Sequence, residues 1–252
     1  MTTYDFSALG FQKDDVAVVT GAGNGIGRSV ALMLGQSGLT VAAWDMEKEA
    51  VEKVASEIKS AGGSAVPILG DLTEQSDIDR AWDQTDALGQ PVRYLVNNAG
   101  PASATKLTVA DGVRIAIGSY AAVTDGFVAR HSAEAESATF TASIAGNFMV
   151  AATNDWYPAA KAGIAGYMRH AAVKYRGHPR ANGVAPGGTI TRRTAEAYAS
   201  PERQQRLKAH PLGRAAEADE VASVICFLLS PAASFVNGVL IPIDGAATWT
   251  NP

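Results

Sequence analysis

Eight residues do most to limit what this chain can fold into: Thr20-Gly21-Ala22-Gly23-Asn24-Gly25-Ile26-Gly27. They follow Val16–Val19, a short apolar, β-branched run. They open Gly25–Gly38, an amphipathic stretch with Val30, Ala31 and Leu34 at buried helical spacing. A side chain in such a strand-to-helix turn would block both the turn and the approach of a pyrophosphate. The helix start then offers free N–H groups and a partial positive charge to that anion. Asp45 ends the next apolar run, 24 residues after Gly21. A carboxylate there accepts hydrogen bonds from ribose hydroxyls and repels a 2′-phosphate, so the expected cofactor is NAD, with NADP disfavoured. Neither Met46 nor Asn24 is basic. Arg28 follows the loop, where it faces either the cofactor or solvent.

The alternation continues. Thr40–Trp44, Ala65–Leu69 and Val92–Val96 read as strands, and Glu47–Ala61 and Glu74–Leu88 as helices. Further along, helices are expected over Val109–Arg130, Asp155–Tyr175 and Ala218–Leu229. Strands are expected over Thr139–Ser143, Arg180–Ala185 and Gly238–Ile243. This pattern makes parallel βαβ units. No internal repeat or long linker divides the 252 residues. The sequence therefore predicts an α/β fold: one Rossmann-type domain over 1–252, holding cofactor and substrate sites together. Its doubly wound parallel sheet should have about seven strands, with helices on both faces.

Composition excludes several classes. With 47% hydrophobic and 18% charged residues the chain is not disordered. A net charge of −4 gives no basic footprint, so no nucleic-acid partner is expected. The single cysteine, Cys226, allows no intrachain disulfide and no cysteine metal cluster. His131, His170, His178 and His210 lack ligand spacing, so no metal is assigned. The N-terminus carries Asp5, Asp14 and Asp15 and no apolar block, and Val221–Leu229 is about half the length a membrane span needs. These features predict a soluble, cytoplasmic protein without a membrane partner.

Tyr157 and Lys161 lie four residues apart on the long helix, hence on one face. A free tyrosine titrates near ~10, too high for a good base near neutrality. A neighbouring ammonium favours the phenolate, and such a tyrosine can exchange a proton with an alcohol or ketone oxygen. Ser143, 14 residues earlier, should end a strand, where its hydroxyl can donate to the same oxygen. Asp71, after the third strand, reads as an acceptor for the adenine amino group, as an N-cap for the next helix, or both.

Thr20-Gly21-x-x-x-Gly25-Ile26-Gly27, Asn97-Asn98-Ala99-Gly100, Ser143, Tyr157-x-x-x-Lys161 and Pro186-Gly187 occur in the order of the short-chain dehydrogenase/reductase family. The resemblance runs from about Val16 to Ala247. It implies that Tyr157 is the general acid/base, that Lys161 holds the nicotinamide ribose and lowers the Tyr157 pKa, and that Ser143 orients the substrate oxygen. It places Gly21, Asn24, Gly25 and Ile26 on the cofactor, followed by Asp45, Met46, Asp71 and Leu72. Asn98, Ala99 and Gly100 continue that site. Pro186, Gly187, Thr189 and Thr191 join Tyr157 and Lys161 at the nicotinamide end. The implied reaction is hydride transfer between nicotinamide and a secondary alcohol or ketone. The implied assembly is a homotetramer.

The chain departs from the family pattern in three places. No Asn occurs between Gly100 and Ser143, although the family carries one that holds a water linking the Lys to solvent. Ala116–Ser119 stands there, and Ser119 could hold the water instead. The Ser143-to-Tyr157 interval is one residue longer than usual, which an insertion within Asn147–Trp156 would absorb; Thr141 is the fallback hydroxyl. Pro101–Thr108 is short for the family.

Substrate identity should come from Gly146–Trp156 and from a mobile substrate segment at about 191–210. Phe148, Met149, Val150 and Trp156 suggest an apolar pocket for an aliphatic, cyclic or steroid-like alcohol or ketone, or else loop packing. Arg192-Arg193 could meet an anionic substrate, an acyl-carrier phosphopantetheine, the cofactor phosphates or solvent. Two alternatives stand beside the alcohol dehydrogenase: a 3-oxoacyl thioester reductase, and a catalytically weak dinucleotide-binding sensor or partner subunit.

Overall fold

The computed structural model describes residues 7–149 and 154–249. Seven strands form one parallel sheet: β1 (Val16–Thr20), β2 (Thr40–Asp45), β3 (Ser64–Leu69), β4 (Val92–Asn97), β5 (Ser137–Thr141), β6 (Arg180–Pro186) and a last strand, β9 (Leu240–Ile243), in the order β3-β2-β1-β4-β5-β6-β9. Two further strands, β7 (Thr189–Ile190) and β8 (Ala216–Glu217), pair with each other outside it.

Period-two alternation explains why the central strands read as unbroken apolar runs. Ala17 and Val19 of β1 pack on one side with α1 (Gly25–Gln36), α2 (Lys48–Ser60) and α8 (Ala218–Leu229). Val16 and Val18 pack on the other with α3 (Gln75–Asp86), α4 (Val109–His131) and α5 (Trp156–Lys174). Trp44, Trp82 and Phe127 anchor this second face, with Trp44 edge-on to Trp82 at 4.8 Å. Cys226 is buried in the first.

Strand order reverses between β1 and β4, which opens a crevice beyond the carboxyl ends of the strands. The glycine turn, Asp45, Asp71, Asn98, Ser143 and Gly187 all follow or end strands at that edge.

Several expected boundaries move. β5 begins at Ser137 and stops at Thr141, so Ser143 lies two residues beyond the strand. Asp71 does not cap α3; the N-cap is Glu74, and Asp71 instead accepts the Thr73 N–H at 2.9 Å in a local turn. β9 starts at Leu240, after Gly238, whose φ of 76° breaks the strand. The polar stretch 191–210 contains two short helices, α6 (Ala195–Ala199) and α7 (Pro201–Leu207).

Candidate active site

A cleft of about 370 Å³ lies along the crevice. Nine of the sequence-predicted cofactor residues line it: Gly21, Asn24, Asp45, Met46, Asp71, Leu72, Asn98, Ala99 and Gly100. Gly25, Ile26, Tyr157, Lys161, Pro186, Gly187, Thr189 and Thr191 stand outside that lining. Thr191 nevertheless reaches the glycine turn, since a Cβ built on Gly25 would lie 3.1 Å from its methyl.

The turn is held open by its neighbours. Thr20 Oγ1 donates to the Val96 carbonyl at 3.0 Å and accepts the N–H groups of Asn98 and Ala99 at 2.9 and 3.1 Å. Asn98 Nδ2 donates back to the Thr20 and Gly21 carbonyls at 3.2 and 3.4 Å. Gly21 takes a left-handed φ of 66°, and a Cβ on Gly27 would stand 2.1 Å from its carbonyl oxygen. The surroundings fit a dinucleotide: a side-chain-free cradle at a helix start, with a carboxylate at the next strand end. Asp45 Oδ2 accepts the Gly23 N–H at 2.8 Å and Oδ1 accepts the Glu47 N–H at 2.9 Å, which fixes the carboxylate while leaving lone pairs free.

Nearby cations are already engaged. Arg28 forms an ion pair with Glu57 and, with Gly23, Asn24, Lys53 and Arg192, lines a second cavity beside the turn. Arg192 pairs with Glu47 at 2.7 Å, and Asn24 Nδ2 donates to the same carboxylate at 3.2 Å. Arg193, by contrast, lines the cleft.

Ser143, Tyr157 and Lys161 come together at the carboxyl end of β5. The Ser143 hydroxyl accepts the Ala145 N–H at 3.1 Å and sits beside the Tyr157 phenol, where its hydrogen-bonding favours the phenolate. One helical turn on, Lys161 Nζ stands 5.7 Å from the Tyr157 ring centroid and donates to the Thr141 carbonyl at 2.9 Å. Thr141 thus contributes its backbone, not its hydroxyl. Burial pushes the Lys161 ammonium down to about 8, and the Arg193 charge adds to the effect. The expected lowering of the Tyr157 pKa by Lys161 is not what this geometry gives. Burial raises the phenol above its ordinary value, while the Ser143 hydrogen bond and the Arg193 charge pull the other way.

Two asparagines missed by sequence reasoning position this group. Asn147 Nδ2 donates to the Ser143 carbonyl at 2.9 Å and the Lys161 carbonyl at 3.1 Å, joining the loop to α5. Asn154 Oδ1 accepts the Tyr157 N–H at 3.2 Å, and its amide donates to the Ser103 carbonyl and, at 3.2 Å, to that of Thr105. Trp156 is buried in the core, not set in a substrate pocket, and its indole N–H donates to the Thr105 carbonyl at 2.9 Å. Phe148 and Met149 are 44% and 41% exposed, and Val150 lies outside the described residues. At the position of the family's water-holding Asn, Ser119 lines the cleft and donates to the Ile115 carbonyl at 2.8 Å.

Among the described residues no helix is long and apolar enough to cross a membrane, and no three His, Cys, Asp or Glu side chains converge as metal ligands.

The sequence profile of the enoyl-(acyl carrier protein) reductase family matches residues 21–248. The chain is 36% identical over 249 residues to cyclohexanol dehydrogenase of Acinetobacter sp. (strain SE19), covering 94% of this chain and 96% of that protein. It is also 36% identical over 243 residues to cis-4-hydroxycyclohexanecarboxylate dehydrogenase of Sinomonas cyclohexanicum, covering 92% and 96%. Among solved structures, 7α-hydroxysteroid dehydrogenase complexed with NADH and 7-oxo glycochenodeoxycholic acid superposes with a TM-score of 0.85 at 27% identity, covering 96% of this chain and 97% of that one.

Proposed function

The chain belongs to the short-chain dehydrogenase/reductase family, and from that premise we propose that it moves a hydride between NAD(H) and an aliphatic or cyclic secondary alcohol or its ketone. It binds a nicotinamide dinucleotide and is an oxidoreductase acting on alcohol CH–OH groups. The observation that carries the finer reading is Lys161 one turn along α5 from Tyr157, its amine 5.7 Å from the ring centroid and anchored on the Thr141 carbonyl, with Ser143 beside the phenol.

A bound nicotinamide supplies the hydride acceptor for oxidation and the donor for reduction. The chain's residues do the rest. Ser143 donates to the substrate oxygen and orients it. Tyr157 takes the hydroxyl proton during oxidation and returns it during reduction. Lys161 holds the nicotinamide ribose, while Ser143 and the Arg193 charge offset part of the burial that disfavours the phenolate. Asp45 supports NAD over NADP, because its fixed carboxylate would repel a 2′-phosphate and both arginines beside it are paired with glutamates. Pro101, Leu107 and Ile115 give the cleft an apolar side suited to a hydrocarbon ring. The cyclohexanol relative supports a cyclic alcohol.

NADH and NADPH binding by fluorescence, followed by turnover of cyclohexanol, aliphatic secondary alcohols, steroids and 3-oxoacyl thioesters, tests this reading. NADH binding with alcohol turnover is expected. NADH binding without turnover of any substrate would overturn it in favour of a sensor or partner subunit. NADPH-dependent thioester reduction alone would replace it with the reductase alternative.

A further inference from the structure

Charge is unevenly spread along the cleft. Its carboxylates, Asp45, Glu47 and Asp71, belong to the ends of β2 and β3 and the turns that follow. Glu47 is paired with Arg192. Among the described residues, Arg193 is the one cation of the cleft's lining. Burial and the Arg193 charge act on both Tyr157 and Lys161. Arg193 is itself exposed, yet close enough to Tyr157 and Lys161 for its charge to act on both.

Arg193 is also unlike its neighbour. Arg192 is tied to Glu47, whereas no hydrogen bond or ion pair among the described residues holds Arg193. It follows the β7 strand and lines the cleft along with Pro101, Ile115 and Ser119. An unpaired guanidinium beside an apolar wall is a ready planar donor for a carboxylate, which it can grip with two parallel hydrogen bonds.

We infer that the secondary alcohol oxidised here carries a carboxylate, and that Arg193 holds that carboxylate while Ser143 and Tyr157 engage the hydroxyl. The inference rests on the oxidoreductase reading above and names a substrate class for it: a hydroxy acid with a hydrocarbon body between its two polar ends. The carboxylate takes no part in the chemistry. It balances Arg193 and fixes which carbinol carbon faces the cofactor.

The test uses the full chain with NAD and a matched pair, 4-hydroxycyclohexanecarboxylate and its carboxamide, with cyclohexanol as a third substrate. The readout is the ratio of kcat/KM for acid over amide. The wild type should favour the acid by about 10- to 100-fold, the range of a charge-assisted hydrogen bond. Arg193→Gln should bring the ratio close to unity, and Arg193→Lys should restore part of it. Because the side chain is exposed, neither change threatens folding. NADH affinity is measured on each variant. A wild type with no preference for the acid, or a ratio unmoved by Arg193→Gln, would overturn the inference while cyclohexanol turnover left the parent reading standing. Loss of NADH affinity in step with loss of acid turnover would assign Arg193 to the cofactor phosphates instead. NADH binding with no turnover of any of the three alcohols would remove the parent reading and this inference with it.

Discussion

The Lys161 amine donates to the Thr141 carbonyl at 2.9 Å, so the last residue of β5 anchors the cation one turn beyond Tyr157. The burial that comes with this anchoring brings the amine to about 8. A lysine in the unfolded chain titrates near ~10.4. Between those values the unfolded chain binds more protons than the native one, so stability rises with pH across that window. Below about 8 the buried charge opposes folding to its full extent. Urea unfolding of the cofactor-free wild type and Lys161→Met at pH 7 and pH 9.5 should show the wild type gaining on the variant. A difference that stays constant would mean that the amine titrates as an exposed one.

Tyr157→Phe keeps the ring packed edge-on against Trp156 at 5.4 Å and removes only the hydroxyl that Ser143 touches. Turnover should fall by about 10²- to 10⁴-fold, the usual contribution of a positioned acid/base. NADH should still bind. Turnover within a few-fold of wild type would take Tyr157 out of the proton path.

For Asp45 the informative quantity is a ratio. Asp45→Ala removes the acceptor for ribose hydroxyls and the repulsion of a 2′-phosphate, but it also frees the Gly23 and Glu47 N–H groups. Damage to the turn weakens both cofactors alike. Loss of the ribose contact should weaken NADH by about 10-fold or more relative to NADPH. Parallel titrations of the two cofactors separate these effects, and equal losses would sink the ribose assignment.

Asn147→Ala cuts the bridge between the Ser143 loop and α5. Leaving two partly buried carbonyls without their donor should cost about 1–3 kcal/mol of stability. If the bridge positions Ser143 against Tyr157, kcat should drop about 10-fold with KM little changed. Thermal melts and steady-state kinetics check both halves, and a lowered Tm with unaltered kcat would make the bridge purely structural.

The seven-stranded sheet was legible because its central strands are apolar on both faces and its helices on one. The expected start of β5 at Thr139 is two residues late because Ser137 reads as polar yet is fully buried, donating to the Leu228 carbonyl at 3.2 Å. Hydropathy cannot see a hydroxyl satisfied by a residue 91 positions away. Trp156 carried a signal that was overlooked: Trp156, Ala160 and Ile164 share one helical face, and that face is core. The glycine turn and the next strand end pointed to Gly21 and Asp45, and the family resemblance to Asn98; all three line one cleft. The bonds of Asn147 and Asn154 reach across the fold to partners that no local pattern encodes.

The clip formed by Thr20 and Asn98 has a kinetic consequence. Because protein hydrogen bonds set the glycine turn in place, a dinucleotide meets a surface whose shape is already made, and little of its binding energy goes into ordering that loop. The rate at which cofactor enters and leaves is then expected to depend on Thr191 beside Gly25 and on the Arg192–Glu47 pair. Breaking that pair should quicken exchange without altering the turn.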